Sequence, residues 1–265
     1  MSIFKIIYNI LKQYKIIFKL AKNDFKSKYA SSFLGAIWAF VQPMITILVF
    51  WFVFQVGFKT PPVNDIPYIL WFIPAYIPWI YFTEILNSTS NSMLEYNYLV
   101  KKVKFDVEII PSVKIISAAF VHVFFIGFIF FMYWILNREI TIYSLQSLYY
   151  SFAVTVLGFG IGMFVSSVTV LFKDFAQIVN VILQIGFWAS PIYWSPDSME
   201  GWVVNILKLN PVYYIISGYR GAFVNQDVFW NHPMQTLYFW ICTISICIIG
   251  CKLFVALRPF FADEL

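Results

Sequence analysis

The chain has 265 residues, 61% hydrophobic and only 12% charged, with a net charge of +5 at neutral pH and a mean hydropathy of +0.76. Soluble domains of this length carry about a quarter charged residues, so the composition excludes a soluble enzyme and predicts an all-α polytopic membrane protein. The modest positive charge reads as inward-facing loops and not as a nucleic-acid surface.

Residues 1–32 predict an amphipathic interfacial helix. At 100° per residue Ile3, Ile7, Ile10, Tyr14, Phe18, Ala21 and Phe25 fall on one side of it. Lys5, Lys12, Lys15, Lys19, Lys22 and Lys26 fall on the other, within roughly 100° of arc. Such a helix lies among lipid headgroups with its lysines toward anionic lipid, either as an anchor alone or also as part of a docking surface for a cytoplasmic partner. The first residues lack a short apolar core followed by small residues, so no signal peptide is expected.

Residues 33–265 predict a domain of six transmembrane helices, at about 33–58, 66–86, 109–136, 148–172, 175–192 and 237–257. Gln42-Pro43 interrupts the first span, and Pro67, Pro74 and Pro78 break up the second. Glu84 is the one acidic residue inside a core apolar run, with no opposite charge beside it in sequence. In the third span His122 has no neighbouring ionisable partner and is expected to make a helix–helix hydrogen bond. Gly158 and Gly162 in the fourth predict close helix packing. Cys242, Cys247 and Cys251 share one apolar run without CxxC spacing and read as buried thiols.

Between spans five and six, Trp202 to Phe223 holds two short apolar pieces broken at Asn210-Pro211 and closed by Tyr219-Arg220. Neither is long enough to cross, so a re-entrant or interfacial hairpin on the outer face is expected. Asn210, Pro211, Tyr219 and Arg220 would form an outer gate, or else a surface cap. Lys59, Arg138, Lys208 and Arg220 are the cationic residues placed outside, and every other lysine and arginine falls inside, Lys114 being counted with the second inside loop. That asymmetry puts both termini in the cytoplasm.

There is no GxxxxGK[ST], HExxH or GxSxG motif and no carboxylate pair within the spans. The chain therefore lacks the convergent groups of a membrane enzyme, and transport against a gradient would draw its energy from a partner. Two cytoplasmic segments are long enough to meet one: the N-terminal helix and the loop with Lys101, Lys102, Lys104, Phe105 and Asp106. Lys26, Lys28 and Tyr29 sit where the helix meets span one, suited to an anionic headgroup or simply to anchoring. Interface belts explain Trp71, Trp79, Trp134, Trp230 and Trp240, but less well Trp38, Phe187 and Trp188. With Tyr193, these are candidates to line a channel, since aromatic faces stack on sugar C–H surfaces.

Three stretches carry a family resemblance: DFKSKYASSFLGAIWAFVQPM at Asp24–Met44, LVKKVKFDVEIIPS at Leu99–Ser112, and KDFAQIVNVILQIGFWASPIYW at Lys173–Trp194 together with NPVYYIISGYR at Asn210–Arg220. They resemble the membrane subunit of type-2 ABC exporters of O-antigen, capsule or teichoic acid. One departure is Val107, where many relatives have proline. The resemblance implies a multi-pass permease of the bacterial inner membrane, working as a homodimer with two copies of a separate ABC ATPase. It implies a channel at the dimer centre for a lipid-linked polysaccharide, with ATP and magnesium bound by the partner and no cofactor in this chain. A type-2 exporter of a drug or small glycolipid is the alternative within transport, and a polytopic membrane transferase the alternative outside it.

Overall fold

A computed structural model describes residues 3–30, 32–63, 65–101, 105–196 and 199–265. The described residues are helical apart from turns and one isolated bridge between Val63 and Ile66. Five helices are long and apolar enough to cross a membrane: Gly35–Gly57, Tyr68–Ser90, Val107–Ile135, Ile142–Leu171 and Pro233–Glu264. The fifth of the expected spans is a shorter apolar helix, Phe175–Ala189.

The chain opens with α1 (Ile3–Lys12) and α2 (Tyr14–Lys28), separated at Gln13. The lysines of this segment are exposed, but the face that packs inward differs from the expected one. Ile6, Ile17 and Ala21 are buried, whereas Ile7, Tyr14 and Phe18 stand exposed. α2 lies on Ile109 and Val113, with Phe18 and Phe25 edge-on to the Phe120 ring of the same neighbouring segment, while Ile7 and Tyr14 stay exposed.

α3 (Trp38–Phe50) keeps Pro43 within it and runs on into a wide turn of π-helix, Trp51–Gly57. α4 (Tyr68–Ser90) is the axis of the bundle, with most of its side chains buried. The sequence suggests a proline-broken segment, yet Pro74 and Pro78 lie inside one continuous helix. Proline removes the N–H that would bond the carbonyl four residues back, so Pro74 leaves the Leu70 carbonyl without its usual donor. The Tyr133 hydroxyl donates to that oxygen at 3.0 Å, from a neighbouring helix. Tertiary contact thus satisfies what the local chain cannot, as hydrocarbon requires.

Two short helices, α5 (Ser92–Glu95) and α6 (Asn97–Val100), lead to α7 (Ile110–Ile135), which packs along α4. α8 (Gln146–Leu171) lies between α4 and α12 (Pro233–Leu257). Glycines two apart point about 200° away from each other and glycines four apart about 40°, and the packing follows that geometry. Gly158 and Gly162 face Ile85 and Thr89 of α4, while Gly160 faces Cys247 and Gly250 of α12. α9 is Phe175–Ala189, followed by α10 (Gly201–Leu207) and α11 (Pro211–Arg220). α10 is largely exposed, whereas α11 is buried against α4, α8 and α12. The chain ends in α13 (Phe261–Glu264).

Candidate functional site

A cavity of about 410 Å³ opens where α2, α3, α4 and α7 meet. α2 stops at Lys28, and Gly35, at φ +52°, sits in the turn that sends the chain into α3. That left-handed conformation suits glycine because other residues carry a Cβ penalty there. The turn brings Lys28, Tyr29 and Trp38 to one rim, opposite Glu84 and Asn87 of α4. Lys26 is exposed and does not line the cavity.

Glu84 is not isolated, contrary to its sequence context. Lys28 Nζ donates to its Oε1 at 2.5 Å, and both groups remain partly open, at 44% and 34% side-chain exposure. Burial pulls the Lys28 pKa down, but the charge and hydrogen bond of Glu84 outweigh that and raise it above its ordinary value. Lys28 is therefore a firmly charged ammonium at the cavity mouth.

On the far wall His122 makes the expected interhelical bonds: Nε2 lies 3.0 Å from Ser151 Oγ and 3.1 Å from the Tyr219 hydroxyl. Its ring stacks on Tyr81 at 4.1 Å. Ser151 and Tyr219 are themselves 2.5 Å apart, so three helices share one polar knot.

The cavity continues past Trp79, Thr83, Asn87 and Phe187 into a groove of about 380 Å³ along α9, which adds Asn180, Gln184 and Trp188. Trp38, Phe187 and Trp188 thus line one connected path. Tyr193 packs behind it, with its ring 5.8 Å from Phe187 and 4.8 Å from Trp188. The amides were missed at the sequence level. Gln177, Asn180 and Gln184 recur at i, i+3 and i+7 in an otherwise apolar run, a spacing that places them on one helix face.

The loop expected to meet an ATPase is tied to the N-terminal helices. Lys102 and Lys104 lie outside the described residues, and Lys101 is exposed. Phe105 is half-buried, packed against the cluster of Ile17, Ala21, Ile109 and Val113. Asp106 accepts from Gln13 Nε2 at 2.6 Å, Glu108 from Asn9 Nδ2 at 2.9 Å, and Arg258 pairs with Glu108 at 3.2 Å. Lys114 is not a loop residue. It is buried in α7, where its ammonium bonds Asp24 of α2 at 2.5 Å and Glu95 of α5.

At the opposite end, Asn210 caps α11, its Oδ1 accepting from Val212 N at 3.0 Å, and Pro211 takes the first helical position. Tyr219 is fully buried in the His122 knot. Arg220 ends α11 and is buried, its guanidinium 3.4 Å from the Trp71 ring centre. It donates to the Pro191 and Ile192 carbonyls at 2.5 and 2.6 Å. These two residues clamp α11 to α4, α7, α8 and the segment that follows α9.

Comparison with known proteins adds a consistent result. The ABC-2 type transporter family profile matches residues 16–224. Two proteins of Klebsiella pneumoniae named "O-antigen export system permease protein RfbA" are each 22% identical to this chain, over 98% of it and 99% of their own length. A Myxococcus xanthus protein of the same name is 21% identical over 96% of this chain and 97% of its own.

Proposed function

As the chain belongs to the ABC-2 type transporter family, we propose that it is the membrane subunit of an exporter for a lipid-linked polysaccharide, driven by a separate ATPase. The observation that carries this reading is the connected path from Lys28, Tyr29 and Trp38 to Asn180, Gln184 and Trp188. Amide side chains facing lipid tails would be left unsatisfied at a cost of several kcal/mol each, about 2–7. A second copy of the chain, enclosing a water-filled channel between the two α9 faces, removes that cost. Aromatic rings beside amides and hydroxyls suit a sugar chain, and the relatives named for O-antigen export point the same way.

In this arrangement α9 is the fifth of six spans, both termini are cytoplasmic, and the lipid diphosphate meets Lys28 at headgroup depth. The ATPase docks on the surface made by α1, α2 and the segment from Lys101 to Asp106. A smaller glycolipid or drug would use the same mouth but would not require the long amide groove.

The test is export by cells carrying Lys28→Gln, with Lys26→Gln and Glu84→Gln beside it. Lys28→Gln should cut surface polysaccharide at least tenfold with membrane insertion intact. Lys26→Gln should change it little, since Lys26 is off the cavity. Glu84→Gln should retain export, because it removes only the carboxylate that competes with the substrate's phosphates. Wild-type export from Lys28→Gln would leave the lysine as an anchor and overturn its role at the mouth.

A further inference from the structure

A separate cavity of about 600 Å³ opens between α10, α11 and the loop leading into α12. It lies at the end of the bundle opposite Lys28, and none of the residues along the α9 groove lines it. Its size falls in the range of about 300–1,000 Å³ typical of small-ligand sites.

The chemistry of its wall is specific. Three amides, Asn205, Asn225 and Gln235, and two hydroxyls, Ser217 and Tyr213, converge on it, and none of these side chains has a hydrogen-bond partner among the described residues. Phe229 supplies an apolar ring beside them. The charged groups do not add up to an anion site. Arg220 is engaged by backbone carbonyls and Trp71, and Asp227 pairs with His232 at 2.5 Å, which leaves Lys208. Nor is it a site for acyl chains. The cavity that fits those lies between α3 and α7, about 560 Å³ walled by Met44, Ile47, Leu48, Trp51 and Phe128. Its one amide, Gln55, accepts from the Ile69 N–H at 3.3 Å.

The rim is also held in place before any ligand arrives. Gln146 donates to the Asp227 carbonyl at 2.9 Å and accepts from Phe229 N at 3.0 Å. Asp227 accepts from Val228 N and from Asn231 Nδ2, at 2.9 and 2.7 Å. Gln226 takes a left-handed φ of +53°, which costs a non-glycine residue energy and persists only when its surroundings enforce it. Such preorganisation spares a ligand the cost of ordering the loop.

We propose that this cavity binds neutral, hydroxyl-rich sugar residues at the outer mouth of the exporter. Amides and hydroxyls that both donate and accept match the mixed donors and acceptors of a sugar ring, and an aromatic face takes its C–H side. The site rests on the reading of the chain as a polysaccharide exporter. It would hold the emerging chain off the central path.

The experiment uses the full-length chain with its ATPase in lipid nanodiscs. The probe is the set of oligosaccharides released by mild acid from the polysaccharide of the source cells, with binding measured by calorimetry. Asn205→Ala combined with Gln235→Ala should weaken binding at least tenfold. Neither side chain holds the fold, so the melting temperature should not move. Ser217→Trp, which fills the cavity, should abolish binding independently. Inorganic phosphate and added phospholipid should not compete. Unchanged oligosaccharide affinity in both variants, or displacement by phosphate or lipid, would overturn the site. Unchanged binding in both variants, in cells whose polysaccharide export depends on the wild-type chain, would sink the site alone. Cells that lack this chain and still export the polysaccharide would sink the export reading with it.

Discussion

Lys114→Met provides a strict test of how α2 is held to the bundle. The Lys114 ammonium sits at 6% side-chain exposure between Asp24, at 10%, and Glu95, at 54%. Tyr96 also donates to Asp24 at 3.0 Å, and its ring lies under the ammonium at 5.1 Å. Removing one partner of a buried ion pair costs about 3–5 kcal/mol, because the other charge stays buried without compensation. The Glu95 half, being exposed, adds less than about 1 kcal/mol. Fully burying one aliphatic side chain stabilises by about 1.5–3 kcal/mol, and α2 has two such anchors, Ile17 and Ala21, of which the second is small. The ionic loss is therefore comparable to the hold of these two buried anchors, to which Phe18 and Phe25 add edge contacts with Phe120 of α7. The helix should detach while the bundle remains folded, a sub-global opening of the kind exchange methods detect. Hydrogen–deuterium exchange in detergent should show amides of Tyr14–Lys28 exchanging at least about a hundredfold faster, since every 1.4 kcal/mol is tenfold, with α4 and α8 unchanged. Adding Asp24→Asn to Lys114→Met should restore most of the protection by removing the stranded charge. Unaltered exchange in α2, or an equal loss across all helices, would refute the reasoning.

Gly160→Ala should destabilise the protein by about 1–3 kcal/mol, whereas Gly158→Ala should cost less. A Cβ on Gly160 meets the Cys247 backbone nitrogen at 2.8 Å, while one on Gly158 meets only the Ile85 side chain at 2.9 Å; equal melting temperatures in detergent would contradict this. At Asp227, burial raises the carboxyl pKa but hydrogen bonds from Asn231, His232 and Val228 outweigh it and hold the value below normal. The folded pKa is depressed, so the carboxylate's contribution is present above the unfolded value of about 3.9 and is lost as pH falls through the lower folded value. The melting-temperature gap between wild type and Asp227→Asn should persist from pH 7 to 5 and close as pH falls below about 4; a gap independent of pH would count against it.

Much of the architecture is a local property of the chain and could be read there. Twenty-odd apolar residues in a row make a span wherever they occur, the lysines of α1 and α2 keep one solvent face, and glycines at 158, 160 and 162 divide between two faces because 100° per residue leaves no alternative. The amide spacing along α9 is likewise local, since Gln177, Asn180 and Gln184 share one face by period alone. Other features depend on which helices become neighbours. Lys28 and Glu84 are 56 residues apart, Asp24 and Lys114 are 90, and Leu70 and Tyr133 are 63. Nothing in the local period marks them as partners. Inside an apolar medium each buried charge or orphaned carbonyl must find a counterpart, but the tertiary packing decides which one. The same packing placed Lys114 in the interior rather than in a loop, and made Arg220, which closes α11, a buried clamp. The periodicity of the chain determines its helices and their faces, while the site exists only where those faces meet.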